Sequence, residues 1–375
     1  MWRHATRKGI WLTLAGLLGI WAFPCLAASA NNAGERLRVP PGFQVSLFAT
    51  GIEGPRMLRF TPSGSMIVSV PDKGRVILLS SKGQGEPLDR RVLLEGLNAP
   101  HGVDLHQGVL YIAEEDAVGR IAFNDAAGKV EGGYLRLIPL PHGGGHSTRT
   151  VRVGPDAKLY VTIGSSCNVC METDPHRASM LRYDLDGAKG EIYAQGLRNS
   201  VGFDWRPADG ALYATDNGRD LLGDDFPPCE LNMITRGSHY GWPFANGQNI
   251  ADPDFGFGAQ HSINKSVPPV YEFRAHNAPL GITFIRNPDA AAALRGAALV
   301  ALHGSWNRSV KDGYKVVSLH WREDGRIEAR DFLWGFLENG AVHGRPADVA
   351  EGPDGAIYVS DDYAGNIYRI ARIAH

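Results

Sequence analysis

The chain has 375 residues, with 38 Lys plus Arg against 40 Asp plus Glu and a formal charge of −2. That balance, with no basic stripe, excludes an electrostatic nucleic-acid binder. The 46 Gly and 23 Pro, without a long apolar-periodic segment, exclude a helical bundle and indicate a turn-rich, all-β chain.

In chain order, the first thirty residues carry a basic start (Arg3, Arg7, Lys8), an apolar run from Ile10 to Phe23 and small residues from Ala27 to Ala30. This is the pattern of a secretory signal peptide. The run is shorter than the roughly 20 residues a membrane-crossing helix needs, so no stable span is expected after cleavage. Pro24 before Cys25 argues against a lipoprotein box, and the expected destination is the periplasm or beyond. Without residues 1–30 the formal charge falls from −2 to −5. Three cysteines then remain, Cys167, Cys170 and Cys229, with Met171 where a haem-attachment motif would need His. No second pair completes a zinc site, and in an oxidising compartment a disulfide among the three is expected, leaving one thiol.

Six copies of one unit follow. Each has a polar or Pro-containing start, an apolar strand, a Gly turn, a second strand usually carrying Tyr, and a Gly-led third strand. They begin at Gly54, Asn98, His142, Arg198, Asn277 and Arg345. About 57 residues per unit is slightly more than a propeller blade, and the excess lies in insertions at 165–177, 220–229 and 240–274. Residues 31–375 are therefore expected to form one six-bladed β-propeller. The apolar stretch Phe43–Ala49 is placed to complete the last blade and cover two open edges. One short helix is expected, with Asn287 as cap, Pro288 at its first position and a body over 290–295.

In a ring of blades, equivalent positions become neighbours. The residues at or just before each first strand are His101, His146 with Arg149, Arg198 with Asn199, His276 with Asn277, and Arg345. A solvated channel mouth is the plain reading; so many arginines and histidines in equivalent slots favour an anionic ligand. His146 follows Gly143–Gly145, which permit close backbone approach, and is the candidate general base. Arg308 offers a further planar cation. Trp242 and Trp306 are Gly-flanked aromatics, Trp306 a candidate wall for a flat ligand and Trp242, beside Pro243, a candidate for packing. The stretch TDNGRDLLGDDFPPCE from Thr215 reads as an oxygen-rich loop for a hard cation or as a solvated acidic loop, and its spacing is not that of an EF-hand.

These residues resemble the soluble pyrroloquinoline quinone (PQQ) dependent glucose dehydrogenases and the related L-sorbosone dehydrogenases. The resemblance spans nearly the whole mature chain. It rests on His146 followed by RVGPDAKLYVTIG, on GLRNSVGF from Gly196, on the acidic loop ending in ELN, on HYGWP from His239 and on RPADVAEGPDG from Arg345. It implies a sugar or sugar-derived aldehyde as substrate, PQQ and Ca2+ as cofactors, and an electron acceptor such as a cytochrome or quinone. It further implies that His146 is the base and that Arg198 and Asn199 contact the quinone. Gly218 and Arg219 would lend main-chain carbonyls to calcium. Arg345 matches the first of two family arginines, while the second falls on Ala347. The family lysine has no match, and Arg308 of the HGSWNR loop stands in its region. His101 and Trp306 complete the expected cofactor pocket. A calcium-dependent lactonase and a non-catalytic carbohydrate-binding propeller are the alternatives, because fold alone does not choose chemistry.

Overall fold

The computed structural model describes residues 36–81 and 88–373, so the expected signal segment lies outside the described residues. Six four-stranded antiparallel arrays stand in a ring, and they are the six units read from the sequence. Blade 1 is Leu58–Phe60, Met66–Val70, Arg75–Ser80 and Asp89–Leu94; blade 2 is Gly102–His106, Val109–Ala113, Ala117–Asn124 and Lys129–Pro139. Blade 3 begins at Arg149–Val153 and gains a fifth, parallel strand, Ser238–His239, from the long connection. Blade 4 takes Ser200–Trp205, Leu212–Asp216, Cys229–Ile234 and, beyond that connection, Tyr271–Phe273. Blade 5 begins at Pro279–Phe284, and blade 6 at Pro346–Glu351.

The second strand of each blade is sandwiched between neighbouring blades, which is why Met66–Val70, Ala298–Leu302 and Ile357–Asp361 are buried on both faces. The cores therefore lie between blades: Ile67, Val76 and Leu78 of blade 1 pack on Val103, Leu110 and Phe123 of blade 2. Phe43–Ala49 pairs antiparallel with Asn366–Arg372, Phe43 opposite Arg372, and supplies the outer strand of blade 6 as expected. Chain closure thus removes the edge that the last blade would otherwise present.

Around the axis the blades are fastened in alternation. Asp348 of blade 6 accepts the Leu58 amide of blade 1 at 2.8 Å. Asp104 of blade 2 accepts that of Val153 in blade 3 at 2.7 Å, and Asp204 of blade 4 accepts that of Phe284 in blade 5 at 2.8 Å. Arginines from the odd blades return the charge: Arg59 to Asp104 at 3.0 Å, Arg152 and Arg286 to Asp204 at 3.3 and 2.7 Å.

The helix expected over 290–295 is only a 3-10 turn at Ala292–Leu294. Asn287 Oδ1 accepts the Asp289 amide at 2.8 Å in a local turn and caps nothing, and within the 3-10 turn Leu294 is the one residue buried. A run of alanines supplies too little apolar face to hold a longer helix. The α-helix present, Gln260–Lys265, lies in the 240–274 connection and buries Ile263 alone, a signal too weak to read from the sequence.

Candidate active site

His146 sits at the mouth of the ring, half-buried, on the loop that enters blade 3. Its Nδ1 lies 2.8 Å from the Ser165 carbonyl and 3.0 Å from the Ser165 hydroxyl. A carbonyl can only accept, so Nδ1 carries the proton and the lone pair is on Nε2, the arrangement a general base needs. Burial, then the Arg198 guanidinium, hold its pKa down to about 4. The acid limb of kcat/KM should therefore lie at about pH 4, well below an ordinary histidine, and a pH–rate profile measures it. The same depression means that the unfolded chain takes up a proton the native site refuses. The histidine's contribution to stability is therefore present above pH 6.5 and lost as pH falls toward 4.

Arg149, expected beside His146 in the cavity, is instead fully buried beneath its loop. Its guanidinium donates to the carbonyls of His146 (2.8 Å), Thr148 (2.9 Å) and Pro141 (2.8 Å). It shapes the glycine loop and leaves ligand contact to His146.

Arg198 and Asn199 enter blade 4 beside this histidine, and the Ser165 amide donates to the Arg198 carbonyl at 2.8 Å. Between His146 and Asn199 lies Gly164. A Cβ there would fall 2.5 Å from Asn199 Oδ1 and 2.8 Å from the His146 Cβ. Gly164→Ala must push one of them aside, and a displacement of about 1 Å costs on the order of 100-fold in kcat with the fold intact. Steady-state kinetics alongside a melting curve test this.

Arg198 is buried and saturated. It donates to the carbonyls of Asn217 (3.0 Å) and Gly218 (2.9 Å), to both the carbonyl and the amide oxygen of Asn168 (2.9 Å each), and lies 3.3 Å from Asp220. The guanidinium of Arg219 turns away, pinned to Asp252 at 2.8 Å and Asp254 at 2.9 Å, so only its backbone faces the site loop. Below them Asp216 accepts the Asn199 amide at 2.6 Å and stands opposite Glu230 across the strand pair. Burial pushes both carboxyls up, and for Glu230 the Asp216 charge adds to it.

A cavity of about 290 Å³ opens beside Ser147 and Thr148. His101 and Arg345 line it as expected, joined by three residues the sequence reading left out: Arg56, His303 and Asp362. Asp362 accepts from Arg56 at 2.5 Å and from His303 at 2.9 Å, and Arg345 lies 3.3 Å away. The His303 hydrogen bond, then the Arg56 and Arg345 charges, hold its carboxyl far below the usual range despite burial. Burial and the Arg56 guanidinium press His101 down to about 3, which keeps it neutral. Arg345 stacks on Tyr363 at 5.5 Å. Ala347 is buried between Val201 and Leu280, so no side chain replaces the second family arginine there. A larger cavity, about 900 Å³ between blades 5 and 6 around Asn287 and Arg372, carries no histidine and none of these groups.

Two expected residues are placed otherwise. Arg308 lies outside this cavity, because its guanidinium is taken by the Asp224 carbonyl and the Asp225 carboxylate at 3.0 Å. His276 likewise donates to the Gly223 carbonyl at 2.8 Å. Both fasten the acidic loop. Trp306 is 75% exposed on the connection between them and the rim, and Trp242 is buried. Cys167 and Cys170 are disulfide-bonded, and Cys229 is the free, buried thiol.

A family model described as TrAA12-like matches residues 37–232 and 226–373. An uncharacterized protein of Borreliella burgdorferi is 33% identical over 377 residues, covering 94% of this chain and 95% of that protein. The pyrroloquinoline quinone-dependent pyranose dehydrogenase of Coprinopsis cinerea is 24% identical across 90% of this chain, which spans 55% of that longer protein. The structure of its PQQ domain in the holo form superposes with a TM-score of 0.76 at 21% identity, covering 90% of this chain and 97% of that one, a likeness of fold. With both halves of the ring matched, the chain belongs to the TrAA12-like family, among the PQQ-dependent sugar dehydrogenases that its motifs resemble.

Proposed function

We propose that the protein is an exported quinoprotein dehydrogenase that oxidises a sugar, of the glucose, sorbosone or pyranose type, and passes the electrons to an external acceptor. The observation that carries this reading is His146, with its lone pair on Nε2, on the loop whose next residues, Ser147 and Thr148, line a cavity rimmed by Arg56 and Arg345. A planar tricarboxylate quinone suits that wall, where Arg56 and Arg345 present guanidinium groups; beside His146, Asn199 Oδ1 is buried without a partner. The carbonyls of Gly218 and Arg219 are hard oxygen donors suited to calcium. The Arg198 bond to Gly218 uses one of two lone pairs on that oxygen and leaves the other. Among the described residues no helix is long and apolar enough to cross a membrane.

When bound, PQQ supplies the two-electron acceptor, and a divalent cation polarises its carbonyl. The chain itself orients the sugar against the rim. Its Nε2 of His146 takes the hydroxyl proton as the C–H bond yields a hydride, and the Ser165 carbonyl holds the resulting imidazolium through Nδ1. Arg198 stays fixed throughout by its five acceptors, so its field favours proton release once oxidation is complete.

The test is reconstitution. Purified protein given PQQ and calcium should reduce a redox dye with aldoses, sorbosone or pyranoses. No quinone binding and no dye reduction, together with metal-dependent lactone hydrolysis, would overturn the reading in favour of a hydrolase.

A further inference from the structure

The insertion after the second strand of blade 3 touches both the His146 loop and the Arg198 site. The Ser165 hydroxyl donates to the Cys167 carbonyl at 2.7 Å while its own carbonyl holds His146. The Gly145 amide donates to the Ser166 carbonyl at 2.7 Å, and Glu172 accepts both the amide and hydroxyl of Ser166 at 2.6 and 2.8 Å. Between the two cysteines stands Asn168, whose hydrogen-bonding capacity points the other way. Its carbonyl accepts Arg198 Nε, and its Oδ1 accepts both Arg198 Nη2 and the Asp220 amide, the latter at 2.8 Å. Its Nδ2 donates back to the Asp220 carbonyl at 3.1 Å. One residue thus binds both main-chain groups of Asp220 and one edge of Arg198, whose other nitrogen binds the Asn217 and Gly218 carbonyls.

We propose that Asn168, presented by the small ring that the Cys167–Cys170 disulfide closes, is the positioning residue that locks Arg198 and the 217–220 carbonyls into one unit against His146. The disulfide matters because Asn168 must offer its carbonyl and its amide to the same guanidinium. A four-residue ring restricts the backbone conformations that would turn one of them away. Asn168 touches no reacting atom. Its effect is on where the oxygen donors of the loop stand, which is how outer-shell partners tune a cation site. The cation part rests on the reading of Gly218 and Arg219 given above.

The experiment compares wild type with Asn168→Ala in two measurements on the full chain. Amide hydrogen exchange at Asp220 needs no ligand and should quicken at least about tenfold in the variant. Calcium affinity by titration calorimetry should fall about 10- to 100-fold. In dye assays the variant should lose kcat at limiting calcium and recover it at saturating calcium with the sugar KM unchanged, a pattern that loss of stability alone does not give. Asn168→Asp keeps both Oδ1 contacts and sets a second acceptor against the Asp220 carbonyl in place of the donor, so it should also quicken exchange at Asp220 and serves if the alanine variant does not fold. Cys167→Ser with Cys170→Ser should follow the alanine variant. Unchanged Asp220 exchange in the alanine variant overturns the proposal. Wild-type protein that binds no calcium overturns the cation reading, while exchange at Asp220 still decides the role of Asn168.

Discussion

His146→Gln should lower kcat by about 100- to 10,000-fold while leaving quinone and calcium binding in place. The amide can still donate a hydrogen bond inside the loop, but it has no basic lone pair to take the hydroxyl proton. Nothing else at this position can substitute. His101 and His303 line the cavity beyond Ser147 and Thr148, His101 with its ring bound to Arg56 and the Arg149 carbonyl and His303 bound to Asp362. Because the Arg149 guanidinium grips the loop by the carbonyls of residues 141, 146 and 148, the substitution should leave loop and melting temperature nearly unchanged. Turnover equal to wild type, with fold and quinone binding verified, would remove His146 from the mechanism and with it the assignment of the site.

The rule that exposed His146, Arg198 and Arg345 reads the start of each first strand. It works because ring geometry turns equivalent positions into neighbours. The same rule reaches Arg56 in blade 1, two residues before Leu58–Phe60. His303, Asp362 and Asn168 are of another kind. They follow the second strands of blades 5, 6 and 3, whose exits share the rim with the first-strand entries but run into connections of unequal length. Periodicity cannot align such loops, so half of the rim was invisible to it. Partner choice was equally hidden: counting the acids of residues 216–225 did not show that Arg308 and His276 would be spent on them. The blades were legible for the opposite reason, since burial of the second strand on both faces imposes its pattern on every copy.

The largest stability effect should come from Asp204, fully buried near the axis. It accepts the Phe284 and Trp205 amides at 2.8 and 2.9 Å, and Arg286 through two nitrogens at 2.8 and 2.7 Å, with Arg152 at 3.3 Å. Although burial opposes ionisation, the Arg152 charge and the Arg286 bonds keep its carboxyl below the usual range. Asp204→Ala would leave the largely buried Arg152 without its counter-charge and orphan the amide that ties blade 4 to blade 5, a loss of about 3–5 kcal/mol. At about 2.1 cal/mol/K of unfolding entropy per residue, a chain of this size should melt roughly 5 °C lower. Asp209, whose pair with Arg206 is open to water, is the control, and its alanine variant should shift stability by less than about 1 kcal/mol. Asp204→Asn should recover part of the loss, since an amide oxygen still accepts the Phe284 amide but leaves two guanidinium groups without a counter-charge. Equal melting temperatures for Asp204→Ala and Asp209→Ala would mean that blade packing alone closes the ring. The alternation of carboxylates and arginines about the axis would then contribute nothing that hydrophobic contact between blades does not already supply.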